Sequence, residues 1–193
     1  MSFRKEIKYT FDDSKYFLFK KWLNVKEFKI KFPKRQVTSL YFDNKNFNSY
    51  KDSIEGTVPR KKIRIRYYGE LNNESKYYLE EKISSVEGRF KKTREINKNT
   101  LNKFLRYGIK DISYGNCKMK KIITYERSYF NFKNIRLTFD EKIKYKNNLN
   151  SKLWKKINKY IFEIKTDHNN SEDYLNDLVP FQKIRFSKYC ESF

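Results

Sequence analysis

The feature that most limits how this chain can fold is a two-residue rhythm, clearest in Lys62-Ile63-Arg64-Ile65-Arg66, where three cations alternate with two isoleucines. In an extended strand successive side chains point to opposite faces, so the cations share one face and the isoleucines the other. The rhythm recurs along the chain. Glu6 and Lys8 alternate with Ile7 and Tyr9, Glu80 and Lys82 with Leu79 and Ile83, and Lys92 has the parity of Arg94. Arg127 shares its face with Tyr125 and Tyr129, Arg136 with Thr138 and Asp140 against Leu137 and Phe139, and Glu163 with Lys165 against Phe162 and Ile164. Such runs predict about eight strands, near residues 3–11, 36–42, 60–68, 76–84, 88–96, 120–130, 134–142 and 159–166.

Helix signals are fewer. Ser14 is placed to cap a segment through Asn24 with Tyr16, Phe17, Phe19, Trp22 and Leu23 as its aromatic face. Asn99 or Thr100 opens Leu101 to Tyr107, which Gly108 closes, and Ser171 starts a short helix reaching Leu178 before Pro180. Residues 144–158 read as loop, with Leu149, Leu153, Trp154 and Ile157 able to form an amphipathic turn. Helices this scattered do not supply βαβ crossovers. The expected class is α+β, an antiparallel eight-stranded β-barrel with a few peripheral helices, and a chain of 193 residues suits a single domain over 1–193.

Lys and Arg number 45 against 23 Asp and Glu, a formal charge of +22, so the natural partner is a polyanion. The chain has no alanine and is heavy in Lys, Asn, Ile and Tyr, as AT-rich coding would give, so where the charges sit says more than their total. Arginine is scarce, 11 residues in all, yet it clusters on the strands. Its rigid fork of donors matches phosphate oxygens, which a lysine meets only as a point charge. A solvated sheet face is the ordinary alternative for any one strand. Recurrence over the strands favours a phosphate-binding wall, with Glu6, Glu80, Asp140 and Glu163 offsetting part of its charge.

Two cysteines, Cys117 and Cys190, with one histidine, His168, are too few for a Cys/His zinc site or a disulfide framework. Any metal is expected on carboxylates and substrate oxygens, which suits Mg²⁺ or Mn²⁺. No apolar stretch of about 18 residues is available to cross a membrane. Met1-Ser2-Phe3-Arg4-Lys5-Glu6 lacks the apolar run of a signal peptide, so the expected location is the cytoplasm.

A family likeness emerges from the motifs in order. Arg4-Lys5-Glu6-Ile7-Lys8-Tyr9, Ser39-Leu40-Tyr41-Phe42-Asp43, Lys62-Ile63-Arg64-Ile65-Arg66, Leu79-Glu80-Glu81-Lys82 and Gly88 to Arg94 are followed by Tyr125 to Phe130, Ile135 to Asp140, Phe162-Glu163-Ile164-Lys165 and Arg185-Phe186-Ser187-Lys188-Tyr189. Together they resemble the VTC-type polyphosphate polymerase domain, one of the triphosphate tunnel metalloenzymes, over nearly the whole chain. The resemblance implies an antiparallel barrel whose tunnel is lined by Lys8, Arg64, Arg66, Lys82, Lys92, Arg127 and Lys188. It further implies that Arg185 and Ser187 sit beside Lys188 and that Glu163 holds the metal; the charged strand faces add Arg94, Arg136 and Lys165 as expected substrate contacts and Glu6 as a second metal ligand. In the stretch Gly88 to Arg94, Lys91 and Lys92 compete for one role, and parity with Arg94 selects Lys92. Arg4 stands where the wider superfamily often has a first glutamate, as in the bacterial VTC-type pattern, which favours polymerase over hydrolase.

The expected activity is transfer of the terminal phosphate of a nucleoside triphosphate, ATP for preference, onto inorganic polyphosphate, dependent on Mn²⁺ or Mg²⁺. A triphosphatase or tripolyphosphatase on the same fold, and a non-catalytic binder of polyphosphate or nucleic acid, are the alternatives. Lys20-Lys21-Trp22 and Trp154-Lys155-Lys156 are the basic aromatic runs a binder would use. The polymerase reading admits a membrane-protein partner for the product and expects no specific nucleic acid.

Overall fold

The computed structural model of the chain describes residues 4–26, 28–69, 76–133, 135–167 and 171–193, and His168 falls outside them. The alternating runs are strands: β1 (Arg4–Phe11), β2 (Lys29–Asp43), β3 (Arg60–Tyr68), β4 (Tyr77–Ser85), β5 (Gly88–Ile96), β6 (Ile109–Asp111), β7 (Gly115–Phe132), β8 (Ile135–Lys146), β9 (Lys155–Lys156) and β10 (Tyr160–Asp167). The helices are α1 (Asp13–Val25), α2 (Asn48–Glu55), α3 (Lys98–Tyr107) and α4 (Glu172–Leu178), followed by a short 3₁₀ turn at Cys190–Ser192. Eight strands pair in the order β1-β10-β8-β7-β2-β3-β4-β5, and the short β6 and β9 add to β7 and β8. The pairs β1 with β10, β10 with β8, and β2, β3, β4 and β5 in succession are all antiparallel. The chain is α+β, as the alternation implies.

Several boundaries differ from the sequence reading, each for a local reason. β2 starts at Lys29 because Ile30 and Phe32 alternate with lysines, although they are 75% and 45% exposed and so carry no burial signal. α2 has no apolar stripe to announce it; the buried Asp43 carboxylate starts it by accepting from the Ser49 and Tyr50 amides, both at 3.0 Å. Asp12 caps α1 in place of Ser14, accepting from the Lys15 amide at 2.9 Å, and Asn97 caps α3 through the Thr100 amide at 2.8 Å. Ser171 caps α4 as expected. Gly108 ends α3 with φ +89°, where a Cβ would lie 2.4 Å from Asn116 Oδ1, so only glycine fits this stop.

The chain divides into two compact units. The first takes in Met1–Arg35, Tyr125–Ile143 and Ile157–Phe186. Its core joins Tyr9, Phe11, Leu137, Phe139, Phe162 and Ile164 of the strands to Phe19 of α1 and Leu175 and Leu178 of α4. Tyr16, Trp22 and Leu23 pack against that core, but Phe17, expected on the same helix face, is 62% exposed. The second unit takes in Gln36–Thr124, Lys144–Lys156 and Ser187–Phe193. Leu40, Phe42, Ile63, Ile65, Leu79, Ile96, Ile109 and Ile122 form its core under Leu101 of α3. In both units one strand parity fills the core, which leaves the other, charged parity to form a face.

Candidate functional site

On the second unit's charged face, register rather than sequence proximity gathers the side chains. Lys62, Lys82 and Lys91 lie directly opposite one another on β3, β4 and β5, and the neighbouring row is Arg64, Glu80 and Thr93. Like charges directly opposed across a ladder repel, so the lysine row is a local concentration of positive potential. A buried carboxylate, Glu80, sits beside it. Glu80 is 3% exposed and receives Arg64 Nε at 2.6 Å, Lys91 Nζ at 2.5 Å and, more distantly, Arg66 Nη1 at 3.7 Å.

The electrostatics follow from that crowding. Burial works to raise the Glu80 carboxyl, but Arg64, Arg66 and then Lys91 outweigh it and hold the group at about 2. Burial likewise eases the proton off Lys91, with Arg64 and Arg66 adding to the effect and Glu80 opposing it. Tyr41 reports the same field: burial alone would raise its phenol, yet Arg64, Arg66 and Lys188 bring it below the usual value. Its hydroxyl accepts from Arg64 Nη1 at 3.1 Å, and its ring stacks on Tyr189 at 5.0 Å. Tyr189 in turn donates to Asp43 at 2.8 Å, which fixes the segment carrying Ser187 and Lys188. Ser187 Oγ accepts from Lys62 Nζ at 2.9 Å.

The first unit's charged face is built differently. Its rows are Glu6, Lys165 and Arg136; Lys8, Glu163 and Thr138; and Thr10, Ile161 and Asp140. Cations and carboxylates alternate here. Lys165 Nζ is 2.9 Å from Glu163, Lys8 Nζ is 3.4 Å from Glu6 and also donates to the Phe186 carbonyl at 3.0 Å. Arg127 makes a two-pronged contact with Asp140, Nε at 2.5 Å and Nη2 at 2.7 Å, and both residues are buried. Burial would weaken that guanidinium's hold on its proton, but Asp140, Tyr125 and Glu163 strengthen it.

The expected residues therefore divide between the two units. Arg64, Arg66, Lys82, Ser187 and Lys188 belong to the second unit, and Lys8, Arg127, Arg136, Lys165, Arg185, Glu6 and Glu163 to the first. Two expectations are corrected. Lys92 pairs with Glu81, and Arg94 with Leu79, so both occupy the parity opposite to Arg64 and Arg66. Lys91 takes the place expected of Lys92. The signal was present in the hairpin: Ser85 pairs with Gly88 across a two-residue turn, and counting outward from it sets Lys91 against Lys82. Parity within β5 could not reveal this, because Lys92 and Arg94 agree with each other while both face away. Lys62, Tyr41 and Asp43 also join the site region without having been singled out as site residues.

Known structures share this fold. A candidate adenylate cyclase of Bacillus halodurans matches with a TM-score of 0.60 at 12% identity, over 95% of this chain and 92% of its own. A second candidate adenylate cyclase, from Vibrio parahaemolyticus, gives 0.51 at 14% identity over 93% and 86%. A candidate adenylyl cyclase from Hippeastrum, for which a dominant triphosphatase activity is described, gives 0.52 at 14% identity over 92% and 84%. No curated protein matches the chain. The VTC domain model matches residues 3–122 and 111–193, and the chain belongs to the VTC domain family.

Proposed function

We propose that the protein is a polyphosphate polymerase that transfers the terminal phosphate of a nucleoside triphosphate, ATP for preference, onto a growing inorganic polyphosphate chain. The observation that carries the reading is the row Lys62, Lys82 and Lys91 beside Arg64 and Arg66, with one buried carboxylate among them. A linear polyanion meets such a row, whereas a single phosphate engages only part of it. Phosphoryl transfer asks little covalent chemistry of the protein; positioning and neutralised phosphate oxygens supply most of the rate. Family membership supports the same substrate class. The described triphosphatase activity of the Hippeastrum protein favours hydrolysis as the second reading, with water in place of the polyphosphate end.

The family implies a divalent ion, and the residues present fit one. Among the described residues no group of three or more His, Cys, Asp or Glu side chains converges. Mg²⁺ and Mn²⁺ are commonly held by one or two carboxylates, with substrate phosphates and water completing the shell. Glu163 and Glu6 of the first unit would hold the ion, which when bound neutralises phosphate charge. Among the described residues no helix is long and apolar enough to cross a membrane. A cytoplasmic setting and hand-over of product to a membrane-protein partner belong to this reading.

Incubation of pure protein with ATP and Mn²⁺, resolved on a gel stained for polyphosphate, tests it. A ladder of long products is expected. Release of phosphate without polymer establishes the hydrolase, and no turnover of ATP or tripolyphosphate overturns both.

A further inference from the structure

Among the described residues, three buried side-chain atoms have no hydrogen-bond partner: Tyr9 Oη, Trp22 Nε1 and Thr138 Oγ1. The first two belong to side chains packed in the first unit's apolar core. Thr138 stands elsewhere. It is 2% exposed, has the parity of Arg136 and Asp140, and lies directly opposite Glu163, with Lys8 beyond Glu163 in the same row.

Leaving a buried hydroxyl unsatisfied is costly, and a hydroxyl beside an ionised carboxylate ordinarily donates to it. Thr138 does not donate to Glu163. Side chains directly opposed on antiparallel strands have Cβ atoms roughly 4.5–5.5 Å apart, close enough for their oxygens to reach one ion. A carboxylate and a neutral oxygen that face each other without sharing a proton form a donor pair for a hard divalent cation, and Thr hydroxyls serve that role beside carboxylates in other phosphoryl-transfer sites.

We propose that Thr138 Oγ1 is an oxygen ligand of the divalent ion, paired with Glu163. The proposal rests on the reading that this face holds such an ion. It sets Thr138 apart from its neighbours: Arg136 and Lys165 bring positive charge, with Lys165 Nζ 2.9 Å from Glu163, whereas Thr138 brings a neutral oxygen to the metal.

Thr138→Val keeps the shape and removes the hydroxyl, and Thr138→Ser restores it. Free Mn²⁺ is followed by electron paramagnetic resonance in titrations of protein carrying tripolyphosphate, with protein-free controls. Tripolyphosphate affinity is measured separately in EDTA. Thr138→Val should weaken Mn²⁺ binding about tenfold, the scale of losses at metal sites, while Thr138→Ser stays near wild type. Affinity in EDTA should not change, and ligand-free Thr138→Val should melt no lower than wild type, because it loses an unsatisfied group. Unchanged Mn²⁺ binding overturns the proposal. An equal loss in EDTA overturns it in favour of a phosphate donor, and a fall in melting temperature shows the hydroxyl to be structural. If the wild type itself takes up no Mn²⁺, the metal reading fails, and the proposal with it.

Discussion

On β1, β7, β8 and β10 cations stand beside carboxylates in pairs, whereas on β3 and β4, with β5 beside them, several cations converge on Glu80. Arg127 has Asp140, Lys165 has Glu163 and Lys8 has Glu6. Glu80, in contrast, receives Arg64, Lys91 and Arg66, next to a row of three lysines. Of the pairs, Arg127 and Asp140 are both buried, and removing one member leaves the other an uncompensated buried charge. A row of like charges directly opposed across strands repels, and an anion bound along it would relieve that repulsion. On the first face Arg127 and Asp140 thus spend their charges on the fold, whereas the second face spends its charges mainly on a ligand, and substitutions should separate the two.

The largest effect is expected at the matched pair. Arg127→Ala leaves Asp140 fully buried without its guanidinium and should cost roughly 3–5 kcal/mol of stability, read by urea unfolding. The double change Arg127→Met with Asp140→Leu should recover most of it, since removing both charges removes the debt of desolvation as well as the attraction. A stable Arg127→Ala protein would break the comparison, because Arg127 would then be held for a ligand.

Arg64→Ala and Arg66→Ala should act the other way round. Each leaves Glu80 with its remaining cations, so the fold should persist, while turnover of ATP falls roughly 10²-fold or more through loss of a phosphate contact. Circular dichroism beside steady-state rates checks both halves. A folded double variant with wild-type turnover would remove the second face from the reaction.

Why one face was legible and part of the other was not comes down to what a strand's own sequence encodes. Parity placed Arg64 with Arg66, and Glu163 with Lys165, because side-chain direction is a property of the single strand. The opposition of Lys62, Lys82 and Lys91 is a property of register, which the hairpin turn sets and parity inside β5 cannot. α2 was hidden for a related reason: its start depends on Asp43, a carboxylate from the preceding strand, and no apolar period marks it. Arg127 was legible as a cation on a charged face, but its partner in Asp140 required two strands to be adjacent.

Acid should expose the shared carboxylate. Glu80 is held at about 2 against an ordinary 4.5, so its folded form binds a proton less readily than the unfolded chain does. That contribution is complete above about pH 4.5 and is lost as pH falls toward 2, since protonation then favours the unfolded state. By the free-energy equivalent of a pKa shift it amounts to something on the order of 3 kcal/mol. Stability of wild type and Glu80→Gln, measured from pH 5 to pH 2, should converge as the pH drops. Curves that stay parallel would show that Arg64, Arg66 and Lys91 do not act through Glu80.

The smallest effect is the sharpest test, because its two halves have opposite signs. Lys82 stands between Lys62 and Lys91, and each like-charged opposition costs a fraction of 1 kcal/mol up to about 1 kcal/mol. Lys82→Gln removes both oppositions, together up to about 2 kcal/mol, so the ligand-free protein should melt about 1–8 °C higher. Tripolyphosphate, which binds the native state, should stabilise the wild type by about 2.7 kcal/mol at a hundredfold excess over its dissociation constant. The same concentration should stabilise Lys82→Gln distinctly less, since the middle donor of the row is gone. The matched face offers the contrast. Lys165→Gln removes a partly exposed cation from its own carboxylate, and should leave ligand-free melting equal or slightly lower. A Lys82→Gln protein that melts lower without ligand, and keeps its full response to tripolyphosphate, would mean that the lysine row serves the fold and not a ligand.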